Sequence, residues 1–233
     1  VLLVGIGALV LALNILFLDE TYSRVHQTKS KGFFKVFRSY ILFLRSTEFI
    51  GFTLVAAFAM SAVFVYSAGA PFLLIDLLGV RPDHYGWLLL IPTLCNLLGA
   101  FASARLVEKL GGDKMVVLGT AIAFLGGSLI FLLTMVFGLS IFAIIGPMCI
   151  VMFGIAALYP SAAQAAVSLF PEQAGAAASL NGFLHMLVSA AMVLVLGALV
   201  NTHPWTMIVL VMVCSFMALI ALAPIFKKTR NPG

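Results

Sequence analysis

Charge is what this chain has least of. Only 9% of its 233 residues are Asp, Glu, Lys or Arg, against roughly 25% in a soluble domain. No such residue occurs between positions 84 and 104, or between 115 and 171. Mean hydropathy is +1.19. A water-soluble fold so poor in charge would present contiguous apolar patches and precipitate, so an integral membrane protein is expected. The short alternating segments of a β-barrel are missing too; the apolar runs are long and unbroken, which points to helical spans. Cysteine is scarce. Cys95, Cys149 and Cys214 lie inside apolar runs with neither metal-ligand spacing nor a pairing across loops, so they read as buried free thiols. A signal-peptide pattern is also lacking. Residue 1 is Val, inside an apolar run with no basic region ahead, and the expectation is a fragment whose true start lies upstream.

What is there is a series of apolar segments, each near the ~20 residues that cross a bilayer. They fall at 1–17, 49–75, 86–104, 115–137, 141–160, 178–200 and 205–226. Gly138–Ser140 divides one overlong run and Asn201–Pro204 another. Taken alternately, the connections separate by charge. The loops 18–48, 105–114 and 161–177 with the tail 227–233 hold Arg24, Lys29, Lys31, Lys35, Arg38, Arg45, Arg105, Lys109, Lys114, Lys227, Lys228 and Arg230. The opposite set, 76–85, 138–140 and 201–204, holds only Arg81. The positive-inside rule places the first set in the cytoplasm. The net charge of +5 then reflects topology and anionic lipid, and no nucleic-acid partner is implied.

The loop 18–48 is long and basic. Within it, "KGFFKVFRSYILFLR" puts Phe33, Phe37, Tyr40, Ile41 and Leu44 on one helical face and Lys31, Lys35, Arg38 and Arg45 on the other. That pattern predicts a helix lying in the cytoplasmic interface.

Polar side chains inside spans are costly, so their placement is informative. Thr53, Ser61, Tyr66 and Ser67 lie in the second span, with Pro71 near its outer end. Thr93, Asn96 and Ser103 share a face of the third, which also carries Pro92. Tyr159 and Pro160 close the fifth, with Gln164 just beyond. Asn181, His185 and Ser189 follow at steps of four residues in the sixth. The spans 115–137 and 205–226 carry only scattered Thr and Ser and read as lipid-facing or peripheral. The candidate cavity residues are Tyr66, Asn96, Tyr159, Gln164, Asn181 and His185. His185 is the sole ionisable side chain deep in a span. It suits a substrate contact or proton acceptor, and equally a hydrogen bond locking two helices. Asp83 reads as a helix N-cap, with Asp76 and Arg81 as solvated flanking charges.

The whole arrangement resembles the major facilitator superfamily: an all-α, six-helix C-terminal half (49–226) preceded by an inter-half loop and the last helix of the N-terminal half (1–17). In that superfamily the turn after the second helix of a half carries a G-x-L-x-D-R-x-G-R-R-like motif. Here Arg105, Glu108, Lys109, Gly111, Asp113 and Lys114 crowd into "ARLVEKLGGDK" at that place. Glu108 stands at the motif's Asp, Lys109 at its Arg and Gly111 at its glycine, so the match is degenerate. Its glycines suit a tight reversal, and its charges suit a cytoplasmic latch that breaks as a cavity opens. "YSAGAPFLLIDLLGVRPDHYGWLL", "FLDET" and "AGAAASLNGFLHM" look like the Bcr/CflA-type drug:proton antiporters. "FLDET" lacks that group's usual proline. The resemblance implies a bacterial inner-membrane protein with a cytoplasmic C-terminus. It implies export of small drug-like compounds in exchange for protons, a missing N-terminal half as partner, and no cofactor or metal. The carboxylates usually assigned to proton coupling in the group lie in that other half. The six spans would form two inverted repeats, 49–137 and 141–226, that rock about a midplane cavity.

Other classes fit less well. An uptake porter or facilitator for a small polar metabolite would need a denser polar lining than these Phe, Met and Tyr residues supply. An intramembrane hydrolase needs a Ser–His pair, paired Asp residues or clustered metal ligands. His26, His84 and His203 fall in predicted loops, and no carboxylate shares the span of His185. A scaffold or channel subunit would use the seven spans as a complete protein.

Overall fold

The computed structural model describes residues 2–17, 33–199, 203 and 205–223. All of "FLDET" but Phe17, the loop residues 18–32, most of "NTHP" and the tail 227–233 lie outside the described residues. Residues 1–38 and 39–233 form separate compact units. In the first, α1 (Leu2–Phe17) is an apolar helix, with Val4, Leu9 and Leu11 exposed within the chain. The second is built by α3 (Thr47–Pro71), α4 (Pro82–Leu110), α5 (Gly112–Phe137), α6 (Ile141–Ser168), α7 (Ala174–Leu199) and α8 (Thr206–Ile220). α2 (Phe33–Arg45) leads into it. Five helices in this unit are long and apolar enough to cross a membrane, while α8 and the apolar stretch Val4–Leu13 are shorter. The protein is an all-α membrane protein.

The helix boundaries follow local chemistry. Ser46 caps α3, its hydroxyl accepting from the Phe49 amide at 3.3 Å, and Ser140 caps α6 by accepting from Ala143 at 3.3 Å. Gly111 (φ 83°) and Gly138 (φ 74°) supply left-handed turns between helices. Pro71 has no amide hydrogen, and the chain passes there into a π-helical turn, Phe72–Leu77. The reversal expected over 105–114 shrinks to Gly111. Charged residues do not end a helix that has left the bilayer, so Arg105, Glu108 and Lys109 are still helical in α4. α6 likewise runs on to Ser168. Asp83 is not the N-cap of α4. Arg81 occupies that position and Pro82 opens the helix, so Asp83 falls in the first turn and pairs with Arg81 at 2.9 Å.

α3 and α6 form the centre. α6 packs against α4 and α5, and α3 packs in the same way against α7 and α8. α5 and α8 were expected to face lipid or lie at the periphery. Each packs one face against α6 or α3, with Thr120, Thr134 and Ser215 buried and bonded to carbonyls one turn back, and each turns an apolar face outward, with Leu118, Leu125 and Leu132 exposed on α5 and Val209, Phe216 and Ile220 exposed on α8. Low polarity does not separate lipid contact from helix contact; small residues do. Gly119 on α5 and Gly154 on α6 meet so closely that a Cβ on Gly119 would fall 2.7 Å from the Gly154 carbonyl. The broadly exposed faces belong to α4 and α7, with Trp87, Leu94, Leu98 and Phe101 on one and Phe183, Leu187 and Leu194 on the other.

α2 is helical as expected, but its anchor is a residue outside the expected apolar face. Phe43 is fully buried, with its ring 4.4 Å from Phe170 and 5.7 Å from Phe49. Tyr40 is half-buried, while Ile41 and Leu44 are exposed. Phe33 and Phe37 have no described side chains.

Candidate functional site

α3, α4 and α6 line a half-open cavity of about 430 Å³, a volume suited to a small organic molecule. Met60, Val63 and Ser67 line it from α3. Thr93, Asn96 and Ala100 line it from α4, and Met152, Ile155, Ala156, Tyr159 and Pro160 from α6. The lining is mostly apolar, and its polar groups are partly committed. Thr93 Oγ1 donates to the Leu89 carbonyl at 2.8 Å. Asn96 Nδ2 donates across the helix interface to the Met152 carbonyl at 3.2 Å, which leaves Oδ1 as the amide's acceptor for a ligand. Below it, Ser103 Oγ donates to Ala157 at 3.0 Å and joins α4 to α6 a second time. Gly99 lies between these two bonds and lets the backbones close. A Cβ there would stand 2.5 Å from the Phe153 carbonyl.

A second polar group lies on the other side of α3. Ser61 Oγ donates to the Ala57 carbonyl at 2.7 Å and lies 3.2 Å from Ser189 Oγ on α7. Thr53 Oγ1, Tyr66 OH, Asn181 Oδ1 and both ring nitrogens of His185 are buried without a hydrogen-bond partner among the described residues. The His185 ring meets Tyr159 edge-on, centroids 5.9 Å apart and planes at 84°.

Asn96 and Tyr159 therefore line the cavity. His185 reaches it only through Tyr159, and Asn181 stays with His185 in the α3–α7 seam. Tyr66 is buried beside the lining residue Ser67 without joining the lining. Gln164 is exposed on α6, one turn past Pro160. The apolar lining residues Met60, Val63, Met152 and Ile155 carry no sequence signal that separates them from ordinary packing. Ser67 and Thr93 stand out as polar residues in spans.

At the far end of α4, Arg105, Glu108, Lys109, Gly111, Asp113 and Lys114 are all exposed. Lys109 falls in the last turn of α4 and Asp113 in the first turn of α5, each suited to its helix dipole. The Arg81–Asp83 pair lies at the opposite end of the same helix.

Comparison with known proteins points one way. The family model described as Major Facilitator Superfamily matches residues 1–192 and 52–233. A protein named "Bicyclomycin resistance protein homolog" from Haemophilus influenzae is 24% identical over 195 residues, covering 80% of this chain and 46% of the relative. An "Uncharacterized transporter" from Rickettsia bellii is 21% identical over 202 residues, covering 83% and 49% respectively. The chain spans about half the length of the curated relatives it matches.

Proposed function

The chain belongs to the Major Facilitator Superfamily, a family of transporters and not of enzymes, and from that premise we propose that it serves as the C-terminal half of an exporter of small drug-like molecules driven by proton entry. The observation that carries this reading is the cavity. Its Met, Ile, Val and Tyr side chains offer adaptable apolar contact, and Asn96, Thr93 and Ser67 supply a few polar points. That balance suits varied compounds of modest polarity better than one fixed charged metabolite. The name of the Haemophilus relative suggests bicyclomycin as the first compound to try.

Alternating access would come from rocking of the two three-helix repeats, α3–α5 and α6–α8, with a half that completes the transporter. The turn Arg105–Lys114 would face the cytoplasm, as would the C-terminus, in a bacterial inner membrane. Its exposed charges would latch to neighbouring helix ends in one conformation and separate in the other. Met152→Trp in the full-length protein tests the cavity. It fills the lining, and bicyclomycin uptake into everted vesicles is expected to fall about tenfold or more, while Met135→Trp, exposed on α5, leaves uptake near wild type. Equal uptake by both variants defeats the assignment of this cavity.

A further inference from the structure

Inside a bilayer span a buried polar atom has no bulk water to bond, so an orphan there is held only if something exchangeable satisfies it. The α3–α7 seam concentrates such atoms. Phe49, near the start of α3, lies 6.0 Å from Phe170, just before α7, so the two helices start at the same end of the bundle and run parallel. Their register is fixed by the Ser61–Ser189 contact. Counting back one turn sets Ala57 level with His185, and a second turn sets Thr53 level with Asn181. Thr53, Asn181 and His185 are 0%, 6% and 6% exposed, and each has an unpartnered polar atom.

Internal symmetry makes the orphaning pointed. α4 holds the place against α6 that α7 holds against α3. Asn96 and His185 stand at the same distance after Pro82 and Pro171, the prolines that open their helical stretches. At the first position the side chain bonds the facing helix through Met152. At the second it bonds nothing among the described residues. Among the described residues no hydrogen bond from the imidazole ties α7 to α3, whereas Ser61 and Ser189 meet across the seam. Tyr159 touches both sides, lining the cavity and packing on His185.

We propose that His185 is a second proton-binding group, in this half, beside the carboxylates that the resemblance puts in the other half, and that the Tyr159 ring, which borders both His185 and the cavity, senses its charge state. This rests on the proton-driven export proposed above and names a further group that would carry a proton. The step is a simple one: a proton from the aqueous phase adds to the free ring nitrogen of neutral His185, and the same N–H bond breaks on release. The imidazolium gains a second donor, for which Asn181 Oδ1 and Thr53 Oγ1 are the open acceptors of the seam. It also lies within cation–π reach of Tyr159. Other titratable groups on the elements packed against α7 are few. α3 carries Glu48 and Tyr66, α6 carries Cys149 and Tyr159, α8 carries Cys214, and the turn before α7 carries Glu172. The two carboxylates sit at the end where α3 and α7 begin, and Glu48 is more than two turns from the level of His185.

The test is a pH titration of the full-length protein in lipid nanodiscs, with isotopically labelled histidine followed by NMR. Loss of one signal in His185→Gln identifies the resonance. The expected result is a reversible titration between about pH 4.5 and 9. Its midpoint falls in Tyr159→Leu by about half a pH unit or more, about threefold in proton affinity. Tyr159→Phe, which keeps the ring, leaves the midpoint in place; Tyr159→Met replaces the Leu variant if that one does not fold. A His185 signal fixed in one protonation state across the range, or a midpoint indifferent to loss of the ring, overturns the proposal. Neither reading uses transport, so absence of bicyclomycin uptake in vesicles sinks the exporter assignment separately.

Discussion

Gly99 shows how much one missing methyl group settles. Its place on α4 lies against the α6 backbone, between the Asn96 and Ser103 bonds, and a Cβ would meet both Phe153 carbonyl and Cα inside van der Waals distance. Backbone cannot yield as a flexible side chain does, so Gly99→Leu has to push the helices apart. That is expected to cost about 1–3 kcal/mol or more and to lower the thermal midpoint in detergent, with the 430 Å³ cavity distorted as well. Gly86, also on α4, meets nothing within 4 Å. Gly86→Ala is expected to keep or raise the midpoint, because alanine restricts the unfolded chain and favours helix. Equal loss in both variants would mean that glycine acts on α4 through propensity and not through close approach.

At the scale of the element, α2 tests whether an amphipathic helix is docked or merely adjacent. Its docked part rests on Phe43, inserted between Phe49 and Phe170. Phe43→Ala removes a fully buried ring, and amide exchange across Ser39–Arg45 is expected to accelerate about tenfold or more, the equivalent of about 1.4 kcal/mol. Exchange rates unchanged from wild type would assign the anchoring to other contacts. The helix itself was legible in the sequence, since apolar and basic residues recur at helical period through "KGFFKVFRSYILFLR". Its anchor was not, because period identifies a face but not which ring finds a distant partner such as Phe170. The same limit applies to the cavity. Asn96 and Tyr159 were legible as polar or aromatic residues where the bilayer penalises them. Met60, Met152 and Ile155 were not, because thioether and aliphatic side chains look alike in lipid, in core and in a binding site. For α5 and α8 the exposed apolar faces were legible, but not the faces that pack on α6 and α3, because hydropathy measures affinity for an apolar medium and does not say whether lipid or another helix supplies it.

For the whole molecule, the two repeats show a balance that no single helix reveals. Each central helix, α3 or α6, packs against the second and third helices of the other repeat, so the repeats interlock and are not stacked side by side. Interlocking makes the direction of α4 a property of the whole bundle. The helix runs from Pro82 to Leu110, 29 residues, or about 43 Å at 1.5 Å per residue, more than the ~30 Å hydrocarbon layer. A helix of that length that crosses the layer leaves its two ends on opposite sides. The ends differ in charge, with the Arg81–Asp83 pair at one and Arg105, Glu108 and Lys109 at the other, all exposed. Single cysteines at Arg81 and Lys109, introduced into a full-length protein with Cys95, Cys149 and Cys214 replaced by serine, make this measurable. An impermeant thiol reagent added to intact cells is expected to label Arg81→Cys and spare Lys109→Cys, and everted vesicles are expected to reverse the pattern. Labelling of both positions from the same side would mean that α4 does not cross the bilayer. The interlock of α4 with α6 would then have to form outside it, and neither the cavity nor the His185 seam would lie where a transported compound and a proton could meet.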